Sequence, residues 1–249
     1  MTGGSLLSFP IAISTSRVVD SLCLEYIEDA MKGAAVLLAV FAGVFFTSPC
    51  GSQSNSSSTS LPSVEVREYE GKNLSSVNDF RENSIKGPQR VNEFSYRLLV
   101  RGLVKDPLSL TYDQVVSRPQ YSKVVTLNCV EGWSATILWE GVRISDLLAQ
   151  AGADPKAAVI IFAAQDGYST SLPMEFIVGK NILLASKMNG ITIPVERGFP
   201  FVLVAEDKWG YKWIRWVTDV VVSNDTEYRG YWESRGYNQK GDLRGPRSE

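Results

Sequence analysis

Cys129 and Glu131 stand two residues apart in the stretch VVTLNCVEGWSATILWEGVRISDLL (124–148), and Trp133 and Trp139 follow them. A cysteine thiolate is a soft ligand suited to a soft or high-valent metal centre. If the segment stays extended, Glu131 falls on the same side as Cys129, where it can tune a metal or relay protons. The two tryptophans would then wall the site and exclude water. On residue types alone, a small buried filler between two core tryptophans also fits. Further along, WGYKWIRWV (209–217) sets Lys212 and Arg215 beside a backbone stretch, and cations with free amides suit a phosphate group. An edge strand with solvated cations is the other reading of it. Tyr168 follows the Asp-Gly turn of DGYSTSL (166–172), where a phenol can donate a proton into a pocket or pack in the core with its hydroxyl satisfied.

The rest of the chain narrows the chemistry. The 249 residues include no histidine, so no Ser-His-Asp triad, Cys-His dyad, His-bound zinc or His-ligated haem can be built from it. Catalysis must then rest on Cys, carboxylates, Tyr, Lys, Arg or a cofactor. Acidic and basic residues nearly balance at 27 and 25, with no long basic run, which argues against a nucleic-acid partner. A hydrophobic content of 44% is enough for a sizeable core.

The first fifty residues read as an address. An apolar run from Ala34 to Phe46 follows Met31 and Lys32, too short for a membrane span but suited to a signal-peptide core. Met31 is a candidate true start. Cys50 precedes GSQSNSSSTS, a polar tether of the kind that follows a lipidated cysteine. Pro49 fits the usual cleavage box poorly, and an uncleaved anchor is the alternative. Either way the expectation is an extracytoplasmic, membrane-tethered domain. Cys23 and Cys50 both lie in this leading part, so Cys129 has no disulfide partner within the folded domain.

The elements that must position these residues are short. SYRLLVRGLV (95–104) and YSKVVTLNCV read as strands, the second carrying Cys129 at its C-terminal end. SLTYDQVVSR reads as a short helix with Ser109 or Thr111 near its cap, and ISDLLAQAGA (144–153) as a second. AAVIIFAAQ is a buried strand leading into the Asp-Gly turn and a hairpin. MEFIVGKNILLASKMNG reads as a helix, then a strand, then an Asn-Gly turn, with further strands at 201–205 and 213–222. The lead-in before residue 95 is irregular. The sum is a strand-rich α+β fold, as one domain over 63–249 behind a leader (1–50) and a tether (51–62).

The order C-V-E-x-W-S-x-x-x-x-W-x-G followed by a Leu-Leu helix resembles the molybdopterin-binding domain of the sulfite oxidase superfamily, above all the branch containing the protein-methionine-sulfoxide reductase catalytic subunit. RENSIKG (81–87), YRLLVRGLV, DGYSTSL, RGFPFVLV (197–204), WGYKWIRWV and GYWESRGY (230–237) extend the resemblance over nearly the whole domain. It implies a sulfite-oxidase-type fold and a molybdenum-molybdopterin cofactor, with Cys129 as the protein's metal ligand. Glu131 resembles the carboxylate beside the metal, and Tyr168 is a candidate proton donor. Asn83, Arg197, Lys212, Trp213, Ile214 and Arg215 become candidates for holding the pterin and its phosphate. Arg197 and Val202 stand where the family usually carries a histidine or asparagine and an arginine.

The resemblance further implies oxygen-atom transfer on a small substrate, such as reduction of a sulfoxide. Electrons would come from a separate haem or quinone-linked partner, since no second redox motif is present. Sulfite oxidation on the same scaffold, or a cofactor-free surface binding lipoprotein, are the alternatives. A carboxylate beside the metal speaks against a dianionic substrate. Exported relatives carry a twin-arginine signal, whereas here Arg17 stands alone upstream of Lys32.

Overall fold

The computed structural model describes residues 64–249. The expected leader and tether, with Cys50 and the proposed start at Met31, lie outside the described residues. Among the described residues no helix is long and apolar enough to cross a membrane.

Among the described residues the architecture is strand-rich, with two five-stranded sheets, a two-stranded ribbon and few helices. The ribbon pairs β1 (Glu68–Tyr69) with β2 (Lys72–Asn73). The chain continues through β3 (Leu98–Gly102), β4 (Leu108–Leu110), α1 (Tyr112–Val116), β5 (Tyr121–Asn128), β6 (Ser134–Arg143) and α2 (Ile144–Gln150). Then come β7 (Val159–Ala164), β8 (Ser169–Pro173), α3 (Met174–Lys180), β9 (Leu183–Met188), β10 (Ile191–Thr192), β11 (Val202–Val204) and β12 (Val217–Ser223). One sheet runs β10-β9-β6-β5 with β11 also on β9, all antiparallel. The other runs β4-β3-β12-β7-β8, where β12 lies parallel to β3. Residues of both sheets, Ile137 and Leu184 from the first and Phe162 and Val220 from the second, meet in one hydrophobic cluster.

Local chemistry accounts for the element ends. Thr111 caps α1, its Oγ1 accepting from the Gln114 amide at 3.1 Å while Gln114 Oε1 accepts from the Thr111 amide at 2.9 Å. This reciprocal box satisfies two N-terminal donors that the helix leaves open. Asn189 and Gly190 turn β9 into β10 with φ of 50° and 78°, a geometry that favours this dipeptide. Asp166 and Gly167 lie between β7 and β8, which pair as an antiparallel hairpin.

Two expectations are corrected. The ten-residue β6 has no counterpart among the strands read from sequence. It lies between β5 and β9 and is buried on both faces, so the period-two alternation that marks a half-exposed strand is absent. The strand expected over 213–222 begins only at Val217, because Trp213–Trp216 leave the sheet direction, with Trp216 at φ 52°.

Candidate active site

The site forms where β5 ends. Cys129 and Trp133 close the β5–β6 hairpin, the Cys129 amide donating to the Trp133 carbonyl at 2.9 Å, and Gly132 takes the positive φ of 87° that the turn needs. The segment is therefore a turn, not the extended run assumed from sequence. The turn still brings Cys129 and Glu131 to one cavity of about 140 Å³. Cys129 is 5% exposed, while Glu131 is exposed and accepts from Trp133 Nε1 at 3.3 Å. Trp139 sits one layer behind the wall it was expected to form, fully buried against Trp213 with ring centroids 5.6 Å apart.

The second wall is the segment 209–216. A parallel bridge pairs Trp209 with Asn128 and sets this segment beside the end of β5. Gly210 permits the approach, since a Cβ there would lie 3.2 Å from Cys129 Cα. Trp213, Ile214 and Arg215 line the cavity. The Arg215 side chain is 9% exposed, and its Nη1 donates to Glu82 Oε2 at 3.1 Å and its Nη2 to Asn83 Oδ1 at 3.0 Å. Asn83 in turn points Nδ2 at Cys129 Sγ, 3.5 Å away.

Lys212 and Arg197 do not join them. A 3-10 turn over Gly210–Lys212 carries the Lys212 side chain into the interior, where Nζ lies 2.6 Å from Glu233 Oε1. The expected facing of its ammonium toward a phosphate is therefore corrected. Arg197 donates through Nε to the Val77 carbonyl at 2.8 Å and does not line the cavity. Val202 is wholly buried in β11. Tyr168 does line the cavity, but its hydroxyl donates to the Tyr211 carbonyl at 2.5 Å and not into the open space.

Among the lining groups that sequence reasoning missed are Asp166, Trp232 and Tyr237. Asp166 is 3% exposed, its Oδ1 accepting from the Tyr168 amide at 2.9 Å, whereas the Asp-Gly pattern by itself marks only a turn. Trp232 and Tyr237 come from GYWESRGY, a motif noted for its order and not for its rings. Nothing local in the sequence directs those rings to Cys129.

The electrostatics follow from burial and these partners. Burial pushes the Cys129 thiol up; the Glu131 amide, the Asn83 amide and the Arg215 guanidinium oppose it, while the Glu131 carboxylate adds to it. Burial pulls Arg215 down against the charges of Glu82 and Asp166, yet a guanidinium stays protonated. Tyr168 is raised well above its ordinary value, by burial first and then by the Glu233 charge.

The residues present fit a metal-bearing pterin. A single free thiol opens into the cavity with amide and guanidinium donors beside it, and Gly210 leaves backbone within reach of it. Arg215 lines the cavity and already pairs with a carboxylate, that of Glu82, so its guanidinium is of the kind that pairs with a phosphate.

Residues 85–232, more than half the chain, match the family model described as oxidoreductase molybdopterin binding domain. A chain of Azospira oryzae that carries the provisional name protein-methionine-sulfoxide reductase subunit YedZ1 is 37% identical over 162 residues, 64% of this chain and 62% of that relative. Human mitochondrial sulfite oxidase is 29% identical over 188 residues, covering 64% of this chain and 34% of its own length. The chain thus spans less than two thirds of either relative. The crystal structure of the sulfane dehydrogenase SoxCD from Paracoccus pantotrophus shares the fold, with a TM-score of 0.54, 24% identity, and coverage of 56% of this chain and 41% of that one.

Proposed function

The chain belongs to the oxidoreductase molybdopterin binding domain family, and on that premise we propose that it is a molybdenum-molybdopterin-dependent oxidoreductase that reduces a sulfoxide. The observation that carries this reading is the Cys129 thiol in the cavity lining, faced by Asn83 Nδ2 at 3.5 Å, with Arg215 holding that amide by its oxygen. Cys129 would hold the metal, while Asn83, Trp213, Ile214 and Arg215 would hold the pterin and its phosphate. When bound, the group supplies the two-electron exchange of an oxygen atom.

The chain's own residues set the conditions. A ligating thiol must lose its proton, and the Asn83 amide and Arg215 guanidinium stabilise the thiolate that remains. Reduction of a sulfoxide takes up two electrons and two protons and releases water with the sulfide. Glu131, at the rim and open to solvent, is the group able to carry those protons inward. Tyr168 fixes the Tyr211 backbone through its hydroxyl, which makes it a wall and not a free acid. Trp133, Tyr211, Trp232 and Tyr237 present apolar faces that suit the arms of a neutral sulfoxide. A carboxylate at the same mouth opposes a sulfite dianion.

Sulfite oxidation is the second reading, favoured by the similarity to human sulfite oxidase. Molybdenum analysis of wild type and Cys129→Ala, with turnover of methionine sulfoxide against sulfite, decides between them. Near-stoichiometric metal and sulfoxide turnover are expected. Undiminished activity in Cys129→Ser overturns the mechanism, and wild type without metal leaves a cofactor-free binding module. Electrons would reach the site from a separate haem or quinone-linked partner. The domain would sit outside the cytoplasm, tethered through Cys50 or an uncleaved leader, a reading supported by the apolar run from Ala34 to Phe46. Cell fractionation with and without Cys50→Ala tests it.

A further inference from the structure

We propose that Lys212 and Glu233 form an internal clasp that positions the aromatic wall of the cavity and so sets the fit of the substrate's non-reacting groups. This rests on the active-site reading above, and its kinetic test also rests on sulfoxide turnover, whereas its proteolysis test depends on neither.

Both side chains are completely buried, with Nζ and Oε1 2.6 Å apart. Lys212 Nζ also donates to the Gln239 carbonyl at 3.0 Å, and Glu233 Oε1 also accepts from Thr170 Oγ1 at 2.6 Å. Glu233 Oε2 has no partner at all. A buried pair left partly unsatisfied is a poor source of stability, because desolvation offsets the attraction. Its consequence lies in where it fixes the chain.

Each end of the clasp adjoins the cavity. Lys212 lies between Tyr211 and Trp213, Glu233 follows Trp232, and Gln239 is two residues beyond Tyr237; all four aromatics line the cavity. Ring centroids are 4.9 Å apart for Tyr211 and Tyr237 and 5.2 Å apart for Trp232 and Tyr237. The C-terminal segment wraps the lysine without slack. A Cβ on Gly241 would lie 2.6 Å from Lys212 Cγ, and one on Gly230 would lie 2.3 Å from the Ser169 carbonyl and 2.7 Å from Glu233 Oε2. One ion pair therefore joins the segment before Arg215 to the segment that carries the outer rings. The ring-bearing C-terminal segment shifts if it is cut, while Arg215 keeps its own hold on Glu82 and Asn83.

The test is the full-length protein with Lys212→Met and Glu233→Leu together, which removes both charges and keeps the apolar volume. Arg229, Arg235 and Lys240 are tryptic sites on this segment. The clasp predicts cleavage there about tenfold faster than in wild type, because local opening exposes the chain. It also predicts a KM for methyl phenyl sulfoxide raised about tenfold, with kcat and molybdenum content within about twofold of wild type, as expected when uniform binding is lost. Dimethyl sulfoxide, with less to touch the wall, should shift less. If the double variant does not fold, Glu233→Gln carries the same two measurements, with shifts of about threefold expected from weakening one partner. Unchanged tryptic cleavage together with an unchanged KM overturns the clasp. Wild type lacking molybdenum and turnover overturns the oxidoreductase reading alone, since the proteolysis still judges the clasp.

Discussion

Arg215 holds the Asn83 carboxamide by its oxygen, Nη2 to Oδ1 at 3.0 Å, and thereby turns the amide nitrogen toward Cys129 Sγ 3.5 Å away. A guanidinium only donates, so it leaves the amide one orientation. The sulfur is thus met by a donor chosen one residue away from it.

Replacing that donor by an acceptor should do more harm than removing it. Asn83→Asp would keep the contact with Arg215 and present lone pairs to a thiolate. We expect at least about tenfold loss of turnover and reduced molybdenum content, against a few-fold loss in Asn83→Ala. Equal losses in the two variants would show that the amide nitrogen does not matter.

Glu131 at the rim discriminates by charge. Glu131→Gln should raise kcat/KM for sulfite on the order of tenfold while changing that for a neutral sulfoxide less, with the difference shrinking at high salt. Steady-state kinetics at two ionic strengths checks both parts.

Among the described residues Tyr96, Tyr112, Tyr168 and Tyr211 have raised pKa values, each chiefly through burial. In the unfolded chain they lose protons near the ordinary value of about 10, while the folded chain keeps them. The unfolded state then binds fewer protons, so stability falls as pH rises above that value. A phenolate absorbance titration, followed beside a folding signal, should show these four ionising only together with unfolding. Loss of the protons of these four while the folding signal is still intact would contradict the burial.

Gly141 lies at the register shift between β6 and β9, and a Cβ there would fall 2.1 Å from the Leu184 carbonyl and 2.5 Å from Ala185 Cα. Gly141→Ala should cost about 3 kcal/mol or prevent folding, as strain in a packed interior does. Gly179, within α3, has open space at its Cβ position, so Gly179→Ala should stabilise by about 0.5 kcal/mol. Denaturant midpoints of the two variants compare them directly.

What could be read along the chain is what neighbours in sequence decide. The Thr111 cap, the Asp-Gly and Asn-Gly turns and the strand that leads into Cys129 each follow from a few adjacent residues. So does the candidacy of Cys129 itself, a lone thiol beside a carboxylate in a chain without histidine. β6 escaped because burial on both faces erases alternation. Within one motif, Arg215 turns to Asn83 while Lys212, three residues earlier, turns inward to Glu233. Spacing cannot separate those two cations; the 3-10 turn at Gly210–Lys212 and the positive φ of Trp216 do. Asp166, Trp232 and Tyr237 reach the cavity from distant hairpins and loops. Their arrival depends on two sheets sharing one core, with β12 laid parallel to β3 across more than a hundred residues. Side-chain type belongs to the sequence, but its direction and company are set only when the elements pack.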